Sequence, residues 1–143
     1  MRLRPATAAD VPLVEALLRD NELPTVGVGE AIDGFLVALE GAIVVGAVGI
    51  EPCGPRYGLL RSAVVSSKWR GKGIGRQLVE RVIADARSRG VDTLYLLTTT
   101  AEDYFPLFGF SRATRDTVPE PVRATDEFRG ACPETATVMT LRL

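Results

Sequence analysis

The sequence predicts a mixed α/β domain of six to seven strands with flanking helices. Three observations lead to this prediction. Two strand-like runs follow one another over residues 35–50 with Gly41 between them, which is a hairpin pattern. A strand, a helical segment and a second strand then succeed each other over residues 57–98. Residues 136–143 alternate between two faces and close the sheet. Antiparallel strands with one strand–helix–strand unit are typical of a mixed sheet, not of a repeating parallel one.

The N-terminal elements follow from local signals. Residues 2–4 alternate and predict a short first strand. Thr7, with Asp10 three residues later, resembles a capping box, so a helix is expected from there to about Arg19. Its apolar face comprises Val11, Val14, Leu17 and Leu18. Residues 21–30 contain Pro24, Gly27 and Gly29 and predict a loop, with a short helical turn near 29–33.

The elements of the second half are equally marked. Residues 57–65 form a strand, and the helix that follows reaches Arg89, where Gly90 ends it. Residues 92–98 predict a buried strand. A short helix is expected over about 102–108 with Asp103 as its cap, followed by a strand over 110–115 and a partly helical piece over 118–129.

Length and composition indicate one domain over residues 1–143 and limit its function. The net charge of −1 argues against general binding to nucleic acid or to a membrane surface. Cys53 and Cys132 form no metal-spaced pair, and the chain has no histidine, so a Ser-His-Asp arrangement is excluded and no metal is expected. No apolar run has the character of a signal peptide or a membrane span, and a cytoplasmic location is expected.

The most informative segment is the turn Arg70-Gly71-Lys72-Gly73-Ile74-Gly75. It joins the strand at 57–65 to the following helix, and residues 66–79 contain no acidic side chain. Glycines allow close approach to the backbone, and the first turn of a helix offers unpaired N–H groups, so a phosphate cradle is predicted. The spacing fits neither the dinucleotide fingerprint nor the Walker loop.

Arg70-x-x-Gly73-x-Gly75 resembles the Arg/Gln-x-x-Gly-x-Gly/Ala signature of the GNAT (GCN5-related N-acetyltransferase) superfamily, and the element order resembles that fold over the whole chain. The resemblance implies acetyl-CoA as co-substrate, with its pyrophosphate on the turn and its pantetheine along the preceding strand through Val64 and Val65. The implied coenzyme A contacts are Ala63, Val64, Val65, Arg70, Gly71, Lys72, Gly73, Ile74, Gly75 and Arg76.

A narrower resemblance lies in the C-terminal half. The motifs are Leu97-Thr98-Thr99-Thr100-Ala101, Tyr104-Phe105, Gly109-Phe110, Val118-Pro119, Glu127-Phe128 and Cys132-Pro133. They resemble the arsenic-resistance-associated branch of the superfamily, and they are similar to the acetyltransferase domain of N-acetylglutamate synthases. Both relatives imply that the amine of a small amino acid or an amino-acid-like compound is acetylated.

The family's chemistry is direct attack of a neutral amine on the thioester, which needs a base and an acid. The family often places a Tyr four residues before the Gly-Phe pair, but that position here is Phe105. Tyr104 is therefore the candidate general acid, with packing as the alternative. Residues 59–65 hold no carboxylate, so the candidate base is Glu51, with Glu40, a water chain or plain solvation of these glutamates left open.

Arg61 is unusual because it is a charged residue within a central strand. Strand alternation places it with Leu59, Ala63 and Val65, and places Ser62 on the opposite face. We expect Arg61 to grip a substrate carboxylate bidentately, with Ser62 assisting. The alternative is a structural ion pair with Glu51. Thr98 and Thr99 end their strand where the substrate enters, and either line the site or cap the next turn.

Three functions remain open from the sequence. The first is N-acetylation of a small-molecule amine. The second is acetylation of a protein lysine or N-terminus, and the third is a non-catalytic acyl-CoA sensor. The resemblance also implies a homodimer as a possible assembly, since this fold often dimerises through its last strands.

Overall fold

One sheet of seven strands runs through the molecule in the computed structural model, which describes residues 1–143. The strands are β1 (Arg2–Pro5), β2 (Phe35–Glu40), β3 (Ile43–Cys53), β4 (Tyr57–Val65), β5 (Thr93–Thr98), β6 (Ser111–Ala113) and β7 (Thr137–Arg142). The helices are α1 (Val11–Asp20), α2 (Val28–Ala31), α3 (Ile74–Ser88) and α4 (Glu120–Arg123). The mixed α/β fold class is confirmed.

The strand order is β1-β2-β3-β4-β5-β7-β6. Strands β1 to β4 are antiparallel neighbours, and β4 and β5 form the one parallel pair, joined by α3. β7 then pairs antiparallel with both β5 and β6. The hairpin and the strand–helix–strand unit predicted from the sequence are therefore both present.

The two main helices lie where the sequence predicts them, but Thr7 caps a short 3₁₀ turn, Ala8–Asp10, and α1 begins after it at Val11. The Asp10 carboxylate accepts a hydrogen bond from Thr7 N at 2.8 Å, as in a capping box, and also pairs with Arg4 at 2.7 Å. Helix α3 begins after Gly73 and is followed by Gly90, with φ of 82° and 84° respectively. It has 15 residues, and none of the helices combines the length and apolar character that crossing a membrane requires.

Each face of the sheet carries its own apolar core. On one face α3 packs Leu78 and Val82 against sheet residues such as Leu60 and Leu96. On the other face α1 and α2 cover residues of β2, β3 and β4, Val64 among them. A third cluster forms where α4 and the segment before it meet β4, β5 and β7; its members are Cys53, Leu59, Tyr95, Val118, Val122 and Val138.

A β-bulge in β4 corrects the alternation expected from the sequence. Arg61 pairs with Gly49 and Val64 pairs with Ala47, so Ser62 and Ala63 together oppose a single residue of β3. Ser62 has φ of 60°, an uncommon value for a residue other than glycine. Beyond the bulge the faces exchange: Ala63 and Val65 pack on the α3 face, and Val64 packs on the α1 face. Arg61 thus does not share a face with Ala63 and Val65.

The segment after β5 also differs from its prediction. Residues Phe105–Phe108 form a 3₁₀ turn instead of an α-helix over 102–108, and its N-terminal cap position is Tyr104, not Asp103. The turn before it is fixed by Thr98, whose Oγ1 accepts a hydrogen bond from Ala101 N at 2.9 Å. Further on, the partly helical piece is α4 followed by a wide turn at Glu127–Ala131.

Candidate active site

A cleft of about 1230 Å³ opens in the middle of the sheet, where β4 and β5 part. The two parallel strands pair only over Tyr57–Leu59 and Thr93–Tyr95, and their later residues diverge. Most of the sequence-predicted site residues line this cleft. They are Arg61, Ser62, Ala63, Val64, Val65, Arg70, Gly71, Gly73, Ile74, Gly75, Arg76, Thr98, Thr99 and Tyr104. Lys72 and Glu51 do not line it.

The glycine turn exposes several backbone N–H groups at one end of the cleft. Gly71 and Gly73 have φ of 78° and 82°, and a β-carbon placed on either would meet no atom within 4 Å. The first backbone bond of α3 runs from Gln77 N to Gly73 O at 3.1 Å, so the N–H groups of residues 73–76 precede the helical ladder. Free N–H groups at the positive end of a helix are a binding site for anions.

The basic side chains around the turn have separate surroundings. Arg70 donates to Val65 O at 3.2 Å and contacts Asn21 Oδ1, so it ties the turn to the end of β4 and to the residue after α1. Arg76 lies 3.7 Å from Glu80 at the surface of α3. Lys72 lies with its Nζ 5.8 Å from the centroid of the Trp69 ring. The turn is therefore electropositive without a buried cation.

The parted half of β4 leaves backbone groups unpaired on its cleft side. Ser66 N donates to Val45 O of β3, and strand alternation then directs the N–H and C=O of Val64 to β3 as well. The backbone groups of Ala63 and Val65 face the cleft instead, and of these Val65 O already accepts the bond from Arg70. The predicted backbone role of Val64 is corrected on this point, because its polar groups are used inside the sheet.

Tyr104 lines the cleft beside the start of α3. A β-carbon placed on Gly75 would lie 3.5 Å from Tyr104 Oη and 3.4 Å from Val65 Cγ2. The ring is held edge-on against Phe105 and Phe108, with centroid distances of 5.4 and 5.2 Å. Burial raises the pKa of the Tyr104 phenol, partly opposed by Arg76, so the group keeps its proton at neutral pH. Phe105, which lies four residues before Gly109, is buried in the core.

Arg61 is fully enclosed and holds several partners at once. Its guanidinium donates to Glu51 Oε1 at 2.9 Å, to Val26 O at 2.5 Å and to Ser62 Oγ at 3.1 Å. A fourth partner, Glu127, lies farther away, at 3.5 Å from Nη2. The alternative that the sequence left open, an ion pair between Arg61 and Glu51, is therefore present. The Arg61 guanidinium therefore has no free pair of N–H donors for bidentate binding of a substrate carboxylate unless one of its present partners moves.

Two carboxylates line the cleft, the exposed Glu22 and the buried Glu127, and the predicted Glu51 is not one of them. Glu51 pairs with Arg61 and does not line the cleft, whereas Glu127 lines the cleft with a side chain only 6% exposed. Burial raises the pKa of Glu127, and the Arg61 charge partly opposes the rise. Burial and the Glu127 charge raise the pKa of the neighbouring Cys132 to about 12, so Cys132 is a protonated thiol beside the carboxylate.

Sequence reasoning did not select Glu127 or Cys132 as functional residues. Both lie in the wide turn after α4, which has no periodic pattern, and only the short motifs Glu127-Phe128 and Cys132-Pro133 marked the segment. Thr98 and Thr99 lie at the cleft as expected. Thr98 is used in the turn toward Ala101, and Thr99 is exposed.

Comparison with known proteins places these features in a family. Residues 9–110 match the acetyltransferase (GNAT) family. The chain is 34% identical over 130 residues to an amino-acid acetyltransferase of Ralstonia nicotianae, a match that covers 85% of this chain and 29% of that protein. The chain thus spans less than a third of the length of this relative.

Solved structures share the fold. Rv2747 from Mycobacterium tuberculosis, in complex with CoA and NLQ, superposes with a TM-score of 0.81 at 24% identity, over 100% of this chain and 99% of that one. N-acetylglutamate synthase from Neisseria gonorrhoeae, complexed with coenzyme A and N-acetyl-glutamate, gives a TM-score of 0.84 at 23% identity, over 99% of this chain and 35% of that one.

Proposed function

The chain belongs to the acetyltransferase (GNAT) family, and we propose that it transfers the acetyl group of acetyl-CoA to the amine of a small amino acid or amino-acid-like compound. One observation carries the proposal. The cleft between β4 and β5 has unpaired strand backbone along one wall and ends at the glycine turn that opens α3. An extended ligand with amides at its centre and a pyrophosphate at one end fits these two features.

The donor half of the cleft fits coenzyme A on this chain's own geometry. The N–H groups of residues 73–76 would bind the pyrophosphate, and no β-carbon at Gly71 or Gly73 occupies the space above them. The backbone of Ala63 and the N–H of Val65 would pair with the pantetheine amides as a further strand does, while Val65 O is held by Arg70. Arg70, Lys72 and Arg76 would add a positive field at the mouth of the turn.

The reaction follows from the groups at the centre of the cleft. The neutral amine attacks the acetyl carbonyl carbon, a C–N bond forms, and the C–S bond breaks with its electron pair on sulfur. A backbone N–H at the bulge, next to Ala63, would polarise the carbonyl oxygen. Tyr104 would give its phenolic proton to the leaving thiolate, since it lines the cleft and burial keeps it protonated.

The acceptor half supports a small substrate that carries both an amine and a carboxylate. The similarity to an amino-acid acetyltransferase favours this class, and Arg61 is the cation that β4 brings to the cleft. Arg61 would attract a substrate carboxylate by its charge, while it keeps its contacts to Glu51 and Glu127. Ser62, Thr98 and Thr99 would border the same end. Arsenic-containing amino acids belong to the panel of acceptors because of the C-terminal motifs.

A thiol-release assay with acetyl-CoA tests the proposal. The panel contains the common amino acids, their decarboxylated amines, organoarsenical amino acids and lysine peptides. Turnover that is fastest with a carboxylated small amine supports the proposal. Turnover with peptides alone would point to a protein acetyltransferase, and tight acetyl-CoA binding without turnover of any amine would point to a sensor.

The assembly is a separate part of the proposal. β6 is the last strand of the sheet and leaves one free edge, which is where a second copy would add in a homodimer. Light scattering on the purified chain gives the mass directly, and a monomer at working concentration would refute this part alone.

A further inference from the structure

We propose that Glu127 takes the proton from the acceptor ammonium, and that Arg61, shared between Glu127 and Glu51, sets how readily it does so. The inference rests on the proposed function and names a proton acceptor for it. It moves this role from β3, where the sequence placed it, to the wide turn after α4. The evidence is the arrangement of two carboxylates around one buried guanidinium at the acceptor end of the cleft.

The contacts divide the roles of the two carboxylates. Glu51 makes the shorter bond to Arg61, 2.9 Å against 3.5 Å for Glu127, and lies outside the cleft. Of the two partners of Arg61, Glu127 makes the longer contact and lines the cleft, so an incoming ammonium can meet it. With one positive and two negative groups, the cluster has a net charge of −1 when both acids are ionised, which favours a cation.

The charged groups around Glu127 come from several elements. Arg61 of β4 stabilises its ionised form, and Glu51 of β3 opposes this. The Cys132 thiol is its neighbour, and the Arg115 charge acts on Cys132 in turn. Asp126 directly precedes Glu127. Its Oδ2 lies 3.5 Å from a β-carbon placed on Gly27, and Arg61 Nη1 lies close to the same β-carbon, so Asp126 and Arg61 share this region. Burial is the largest influence and raises the pKa of Glu127 above its ordinary value, which makes the carboxylate a stronger base.

The step balances in atoms and charge. The acceptor R–NH₃⁺ gives one proton to the Glu127 carboxylate and becomes R–NH₂. Its nitrogen attacks the acetyl carbon, and collapse of the adduct expels the thiolate. The second nitrogen proton ends on the sulfur, through the solvent or Tyr104. The products are R–NH–CO–CH₃, the free thiol and a protonated Glu127, which then releases its proton to water.

The test compares E127Q and E51Q with E120Q as a control. Glu120 is an exposed carboxylate on α4 that pairs only with Arg123, so E120Q should leave the kinetics unchanged. E127Q should lower kcat by about 10²- to 10⁴-fold and remove the acidic limb of the kcat/KM profile. E51Q should move that limb to lower pH, because Arg61 then stabilises the ionised form of Glu127 without a second carboxylate beside it. Acetyl-CoA affinity and the unfolding midpoint of each variant show whether its fold is intact.

Each result has a definite reading. An acidic limb that persists in folded E127Q overturns the inference, and so does a limb that stays in place or moves to higher pH in E51Q. A carboxyl NMR titration of Glu127 in wild type and E51Q checks the shift without turnover, and an unchanged titration also counts against the inference. If wild type turns over no amine, the proposed function fails, and the role of Glu127 fails with it. If wild type acetylates an amine and the kinetics of E127Q equal those of wild type, the role of Glu127 is refuted and the proposed function stands.

Discussion

Substitution of Gly73 by alanine separates the strain of the glycine turn from its role in binding. Gly73 has φ of 82°, and a β-carbon there would meet no atom within 4 Å, so the cost to folding is conformational and involves no clash. An alanine in the left-handed conformation lowers the free energy of unfolding by roughly 1 to 2 kcal/mol. Part of this loss is offset because alanine also reduces the conformational entropy of the unfolded chain. We expect a net loss of about 1 kcal/mol, or about 3 °C in Tm for this length.

The effect on acetyl-CoA should be larger than the effect on folding. Strain at Gly73 turns the N–H groups of residues 73–76 away from the phosphate, and a hydrogen bond to a charged group contributes about 1.5 to 3 kcal/mol. Isothermal titration should therefore show acetyl-CoA binding weakened by about tenfold or more. The control is G90A, since Gly90 has φ of 84° and equally open space but lies at the far end of α3.

Equal loss of stability in G73A and G90A, with weakened binding only in G73A, is the expected pattern. If G73A bound acetyl-CoA as tightly as wild type does, the glycine turn would not be the phosphate site. If G90A weakened binding as much as G73A, general destabilisation would explain both.

Three further predictions concern other parts of the molecule. Y104F should lower kcat and leave acetyl-CoA affinity unchanged, and an unaltered kcat would remove Tyr104 as the acid. Asp10, whose pKa is lowered to about 2 mainly by its hydrogen bond with Arg4, contributes on the order of 1 kcal/mol after solvent screening. That stability is present above the ordinary aspartate pKa and is lost as pH falls toward 2, so acid unfolding of D10N should lack this component. G49A places a β-carbon 2.3 Å from the Phe35 ring and should destabilise by about 3 kcal/mol in chemical denaturation, whereas a loss below 1 kcal/mol would contradict the close packing.

The donor half of the site was predictable because its signals are local. The order of residues from Arg70 to Gly75, between an apolar strand and a helical pattern, specifies a turn whose geometry depends on a few neighbouring residues. In the structure Gly71, Gly73 and Gly75 lie at the junction of β4 and α3 and line the cleft, as the sequence predicts. The fold was predictable for a similar reason, since most strands and both long helices carry clear periodicity and end at glycine or capping residues.

The acceptor half was less predictable because it depends on contacts between distant segments. The bulge at Ser62 reverses the facing of the last residues of β4, and nothing in the sequence of that strand marks it. The meeting of Arg61 with Glu127 joins residues 66 positions apart through a turn without periodic pattern. Glu51 was considered because residues 59–65 hold no carboxylate and the chain has no histidine, but in the structure it pairs with Arg61 and does not line the cleft.

The parting of β4 and β5 has a consequence for solubility. Strand edges with free N–H and C=O groups invite pairing with other chains, and proteins normally cover or charge them to prevent aggregation. Here such an edge lies in the interior of the sheet, enclosed by the start of α3 on one side and the turn after β5 on the other. A single extended molecule can reach it, but the flat face of another sheet cannot. The protein thus has a strand edge that can pair with a ligand but is not accessible to the strands of other copies of the chain.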